Sequence, residues 1–165
     1  MATWVADAMR SVFDTPIVVG RSGSLAGLNA FPDQGDPHLG PLSGLVTALD
    51  MVQRPIVMVA VDQPLVRTET LQQLARLAAA GNTAVCIDEI AQVTCAAYDL
   101  ACLGEATGQL ANKGSIRRML TLIEPLRIER ETWSRWGEDG RSWYSMDSTD
   151  AIVEAEQRFR LKLLG

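Results

Sequence analysis

The sequence predicts an α/β sandwich, a mainly parallel sheet with helices packed on both of its faces. Three observations predict it. Short β-branched runs alternate along the chain with longer segments of helical period. The strongest strand candidate, "PIVMVAVD" at 55–62, is apolar at consecutive positions, as a strand covered on both faces must be. Gly, Pro, Asp and Ser cluster between the runs, where such a sandwich makes its turns. The chain of 165 residues is expected to form one domain, and 47% apolar with 21% charged residues argues against disorder.

Each element follows from local pattern. In "MATWVADAMRSVF", Trp4, Val5, Met9 and Phe13 share one side of a helix. The segment carries an acid and lacks a basic flank before an apolar core, so it does not read as a secretion signal. "TPIVVG" (15–20) reads as a buried strand closed by Gly20. Residues 21–44 are mostly loop, with a short strand near Leu28–Phe31. "GPLSGLVTALDMV" opens a helix, with Pro41 suited to its first turn and Ser43 a capping candidate. After the 55–62 strand, "TETLQQLARLAAAGN" is helical from Thr68 and stops at Gly81 and Asn82. "TAVCI" and "AQVTCAAYDL" read as strands around an acidic turn at Asp88 and Glu89. "ACLGEATGQLANKG" and "SIRRMLTLIE" read as helices, and "PLRIERE" as an edge strand with its charges toward water. A polar, Trp-containing loop runs from Thr132 to Arg141, "WYSM" follows as a last short strand, and "STDAIVEAEQRFRLKLL" is an amphipathic final helix capped by Ser148 or Thr149.

The totals exclude several functions. A net charge of −5 leaves no whole-molecule attraction for nucleic acid or an anionic membrane. A small anionic ligand stays open, because a metal ion or aligned backbone N–H groups can hold a phosphate locally. Cys86, Cys95 and Cys102 are an odd number without a CxxC pair, and His38 is the sole histidine, so the thiols read as free and buried in a reducing cytoplasm. No apolar run approaches the roughly 20 residues that span a bilayer.

In a parallel α/β sheet, ligands gather at the carboxyl ends of the strands. Three loop clusters would meet there. The first holds Asp33, Asp36 and "GPLSG", where Gly40 and Gly44 let backbone approach a ligand closely. The second is Asp62 with Pro64, where a hard carboxylate suits Mg²⁺. The third is Asp147 to Asp150, which equally serves as an acidic helix start. Asp62 likewise reads either as a site acid or as a residue that caps the turn before the next helix. Ser22, Ser24 and His38 lack the nucleophile-elbow pattern, and "GRSGSLAG" matches neither the phosphate-binding loop nor the dinucleotide fingerprint. Trp133, Trp136 and Trp143 read as cover for the sheet edge or as a lip over a flat ligand. Arg117 and Arg118 face either water or a phosphate.

The order "D-x6-GPLSGLxxAL", then "VAVDQPLV", then "MDSTDAI" resembles the molybdenum cofactor guanylyltransferases, within the MobA-like NTP transferases. The resemblance runs from about Trp4 to the C-terminus. It implies a Rossmann-like three-layer sandwich of the nucleotide-diphosphosugar-transferase type. It implies Mg²⁺-dependent transfer of GMP from GTP onto molybdopterin, with Asp33, Gly40, Pro41, Leu42 and Gly44 at the nucleotide and Asp62 holding the metal. Ser145 and Asp147 fall where the family has its acceptor-side "N-x-N-T-P". The family opens with a strand and a glycine-rich loop, and neither is expected among these residues. That expectation has two consequences, a doubtful turnover and an exposed sheet edge through which two copies could pair. The competing reading is a non-catalytic relic of the fold that binds a nucleotide weakly or binds another protein.

Overall fold

The computed structural model describes residues 1–20, 23–33 and 40–163. Helix α1 spans Ala2–Arg10 and buries Val5 and Ala6, while Trp4 on the expected inner face is 45% exposed. Phe13 lies beyond the helix end and packs against the core from the loop. The "TPIVVG" run yields only a short β1, Val18–Val19. A hairpin follows, β2 (Gly23–Leu25) and β3 (Leu28–Phe31), and β3 pairs in parallel with β1.

Helix α2 spans Pro41–Val52, with Pro41 in its first turn and Gly40 before it at φ 61°. Ser43 does not cap this helix; it lies inside the first turn, fully buried. Then come β4 (Ile56–Val59), α3 (Thr68–Ala79), β5 (Ala84–Asp88) and β6 (Ile90–Tyr98). The turn between β5 and β6 is tight enough to hold Glu89 at φ 59°. Helices α4 (Leu103–Ala111) and α5 (Ile116–Ile123) precede β7 (Leu126–Ile128), which closes one edge of its sheet as the charges predict. Short α6 (Arg130–Trp133) and two single 3₁₀ turns fill the Trp-rich segment. The last helix, α7 (Thr149–Phe159), is capped by Ser148, whose hydroxyl accepts from the Ala151 N–H at 3.2 Å.

"WYSM" forms no strand. Residues 141–143 are a 3₁₀ turn, and the stretch after it joins the fold through the backbone bond from Met146 N–H to Asp62 C=O at 2.7 Å. The Ser145 hydroxyl and the Met146 N–H turn instead to Asp62, far away in sequence.

The described strands form two sheets, β1-β3-β2 and β4-β6-β5-β7. β6 runs antiparallel to both of its neighbours, while β5 and β7 are parallel. It follows that β4, β5 and β7 share one direction and β6 is the reversed member. Side chains then sort by alternation. Val85, Ala96 and Tyr98 join Leu42, Leu45 and Leu49 of α2 and Met119 of α5 on one face. Cys86, Cys95 and Ala97 join Leu71 and Leu74 of α3 with Trp133 and Trp143 on the other. Each fully buried leucine here is worth about 1.5–3 kcal/mol over exposure, so both helical layers are tied to the sheet.

The tryptophans belong to that packing. Trp133 and Trp143 meet edge to face at 5.2 Å, and their indole N–H groups donate to Ile87 C=O and Asp88 Oδ2. The three thiols are free and buried. Burial pushes Cys86 up to about 12 and Cys102 to about 11, and holds Cys95 well above its ordinary value. Among the described residues no helix is long and apolar enough to cross a membrane.

Candidate functional site

The apolar run of β4 ends at Val59, and the next three residues are held by a buried amide. Gln63, 3% exposed, accepts from Ala60 N–H through Oε1 at 3.1 Å and donates through Nε2 to Thr94 Oγ1 at 2.9 Å. Its backbone N–H returns to Ala60 C=O at 3.1 Å, closing the turn, and Pro64 is buried behind it. The turn therefore fixes Asp62, half-buried, at the end of the strand. Ser145 Oγ donates to Asp62 Oδ2 at 2.5 Å, and Met146 N–H donates to the Asp62 carbonyl. Two residues read as a metal-side acid and an acceptor-side hydroxyl are thus in contact. Gln63 was not singled out from sequence, although a Gln between Asp and Pro at a strand end is itself an odd residue to bury.

Asp33 follows β3 and faces two glycines. A Cβ on Gly44 would lie 3.7 Å from Asp33 Oδ1, and one on Gly20 would lie 3.8 Å from Oδ2. Oδ1 is removed from solvent and has no hydrogen-bond partner among the described residues. Burial accordingly raises the Asp33 carboxyl above its ordinary range. A carboxylate oxygen shielded from water and without a donor among the described residues is left available to a donor from outside them. Gly20 at φ 114° could not carry a side chain without strain, which keeps that flank of the seat open.

The "GPLSG" motif divides. Gly40 and Pro41 are exposed at the start of α2, and Gly44 faces Asp33. Leu42 does not line a pocket with its side chain; it is 1% exposed in the core, because position 42 falls on the inner face of α2. Asp147 is exposed, just before the Ser148 cap. Arg117 donates to Ala91 C=O at 2.8 Å, which ties it to β6. Asp36, His38 and Ser22 lie outside the described residues.

A cleft of about 830 Å³ runs past this region, its lining including Gly44 as well as Val59 and Val61. Neither Asp33 nor Asp62 is among its lining residues, which come mainly from α1, β1, α2, β4 and α3. A second, polar cavity of about 290 Å³ adjoins Ser145 and is lined by Asp88, Gln92, Arg130 and Arg158 among others. Arg130 pairs with Asp88, and Arg158 lies over the Tyr144 ring at 5.6 Å. Neither arginine was legible as a site residue, since each sits in an ordinary charged segment. Among the described residues no three His, Cys, Asp or Glu side chains gather as a metal cage. The donor set instead suits a cation that takes one protein carboxylate and fills its shell with phosphate oxygens and water.

A family model for the MobA-like NTP transferase domain matches residues 1–130. Among solved structures, molybdopterin-guanine dinucleotide biosynthesis protein A from Archaeoglobus fulgidus superposes with a TM-score of 0.65 at 18% identity, over 81% of this chain and 69% of that one. A putative protein from Aquifex aeolicus VF5 superposes with a TM-score of 0.69 at 16% identity, over 90% of this chain and 79% of that one. Identities this low speak for the fold, and the fold is the Rossmann-like α/β sandwich expected. None of the curated proteins matches the sequence.

Proposed function

The chain belongs to the MobA-like NTP transferase family, and from that premise we propose that it moves GMP from GTP onto the terminal phosphate of molybdopterin. The observation that carries this reading is the Asp33 carboxylate oxygen between Gly20 and Gly44, shielded from water and without a hydrogen-bond partner among the described residues. Guanine offers two parallel donors, N1–H and the 2-amino group, which suit one carboxylate. Cytosine and adenine have no such pair on one edge.

Asp62 would hold Mg²⁺, and the donor set fits it: one carboxylate whose Oδ2 is already steadied by Ser145. The bound ion supplies positive charge against the triphosphate. Ser145 orients the Asp62 carboxylate, and the backbone of Gly40, Pro41, Leu42 and Gly44 at the start of α2 approaches the nucleotide. Asp147 and Ser145 face the acceptor, and Arg130 and Arg158 draw its phosphate into the polar cavity. An acceptor phosphate oxygen attacks the α-phosphorus and pyrophosphate leaves. No protein nucleophile is needed, because that phosphate is already ionised at neutral pH.

The test is calorimetric titration of the chain with Mg²⁺–GTP and Mg²⁺–CTP, followed by a transfer assay with labelled GTP and molybdopterin. Preferential GTP binding with pyrophosphate release supports the proposal. GTP binding with no transfer would leave a nucleotide-binding module of the same fold, and no preference for guanine would remove the role given to Asp33.

A further inference from the structure

The polar cavity of about 290 Å³ opens beside Ser145, whose hydroxyl is bonded to Asp62. One hydroxyl therefore separates it from the acid read as the holder of a metal-bound triphosphate. Its positive charge comes from two arginines in unlike states. Arg130 is paired with Asp88 and lies over the Trp133 ring at 5.1 Å. Arg158 forms no ion pair among the described residues. Its guanidinium is held by stacking instead, 5.6 Å from the Tyr144 ring centre and 5.2 Å from that of Phe159.

Asp88 is the fixed member of the set. Its side chain is 10% exposed against 64% for Arg130, and its second oxygen accepts from Trp143 Nε1 at 3.0 Å. Neither oxygen is left to turn away when an anion arrives. Glu89 follows at the tip of the β5–β6 turn, exposed and held at φ 59°. Gly140 keeps the floor of the cavity open. A Cβ there would lie 3.2 Å from Asp88 Oδ2, 3.6 Å from Arg158 Nη2 and 3.7 Å from Trp143 Nε1. Its φ of 96° disfavours a side chain on backbone grounds as well.

We propose that Asp88 is a specificity-determining residue that restricts this cavity to a single phosphate group, as on a phosphomonoester, and keeps polyphosphate out. The inference rests on reading the cavity as the acceptor side. Volume does not make the distinction, since about 290 Å³ is close to the roughly 300 Å³ at which pockets for whole small molecules begin. Charge does. Asp88 and Glu89 offset Arg130 and Arg158 in full. A lone phosphate dianion seats on Arg158 and shares the N–H groups that Arg130 does not give to Asp88. Each further phosphate adds charge where no uncommitted cation is left to meet it, and Asp88 stands among the nearest groups. The triphosphate of a nucleotide bound at Asp62 is thereby kept from sliding past Ser145 into the acceptor's place.

Titration of the full chain with inorganic phosphate and with pyrophosphate tests this, with Mg²⁺ removed by chelation and binding followed at the Gly140 amide by NMR. The parent should bind phosphate there and pyrophosphate no more tightly, whereas two uncommitted arginines would favour the diphosphate. Arg158→Gln should weaken phosphate binding by about tenfold or more. Asp88→Asn should raise the affinity for pyrophosphate relative to phosphate by about tenfold or more. Glu89→Gln should act in the same direction to a smaller extent, its carboxylate being exposed. Tighter pyrophosphate binding in the parent overturns the proposal, as does absence of phosphate binding. An unchanged ratio in Asp88→Asn, or phosphate binding that survives Arg158→Gln, overturns it too. If Asp88→Asn does not fold, the two titrations of the parent and those of Glu89→Gln still decide. The probes need neither nucleotide nor metal, so a chain that shows this pattern yet ignores Mg²⁺–GTP would refute the proposed activity and not this assignment.

Discussion

Ser145 Oγ and Asp62 Oδ2 stand 2.5 Å apart although 83 positions separate them in sequence. The contact joins the end of β4 to the stretch before α7, so an acid and a hydroxyl from distant parts of the chain act as one group. If that group holds a metal-bound triphosphate, Asp62→Asn removes the Mg²⁺-dependent part of GTP affinity while thermal stability stays within about 1 kcal/mol. Ser145→Ala should weaken the same increment several-fold and cost little stability, since the bond is exposed. Calorimetry with and without Mg²⁺ reads both, and unchanged Mg²⁺ dependence in Asp62→Asn would reduce the acid to a turn residue.

Asp33 gives a prediction of opposite signs. Burial raises its folded pKa above the ordinary 3.8, so the folded chain is penalised for carrying the charge. The penalty is absent below the unfolded pKa and fully present above the folded one, so stability falls as pH rises through that window. Asp33→Asn removes the penalty. At pH 7 the variant should melt at a higher temperature than the parent and bind GTP roughly 10- to 100-fold more weakly, the loss expected for hydrogen bonds to a charged acceptor. A variant that gains neither stability nor loses affinity would contradict the seat described for this carboxylate.

Gly44→Ala separates fold from ligand in the same seat. Gly44 lies within α2 and its φ is not in the left-handed region, so alanine should stabilise the helix by about 0.5–1 kcal/mol. The new methyl would sit 3.7 Å from Asp33 Oδ1, an ordinary contact that fills the space a base would use. A higher melting temperature with weaker GTP binding is expected from parallel melting and titration curves.

Glu138 anchors the Trp-rich segment and predicts a purely structural loss. It is 4% exposed, and its Oε1 accepts from the backbone N–H groups of Asp139, Gly140 and Ser142. Its Oε2 accepts from Thr70 Oγ1 at 2.5 Å and from Ser142 Oγ. Glu138→Ala orphans these donors and should cost about 3 kcal/mol or more in urea unfolding. Glu138→Gln should cost much less, because both hydroxyls can turn to donate elsewhere and accept from the new amide. Equal losses would show that charge, not donor satisfaction, is what the site requires.

The sequence disclosed most of the elements because their signals are local. Pro41 before a helical run, Gly81 after one and the unbroken apolar run of 55–59 each depend on a few neighbouring residues. What stayed hidden depends on distant partners. "WYSM" has strand composition, but its backbone answers to Asp62 and to its own turn. Ser43 has a capping side chain, yet the helix starts early enough to carry it into the core. Of the candidate site, Asp62 was legible as a carboxylate at the end of an apolar strand and Asp33 as an acid in the loop before GPLSG. Gln63, Arg130 and Arg158 were not, since an amide or a guanidinium takes on meaning only once folding has chosen its neighbours.

The sealed sulfurs have a practical corollary. Cys102 sits in the α2-side layer, while Cys86 and Cys95 sit in the α3-side layer. With ionisation suppressed in all three, the native chain should ignore iodoacetamide and mild peroxide. The first alkylated thiol therefore reports an opening event, and its identity tells which half of the sandwich came apart.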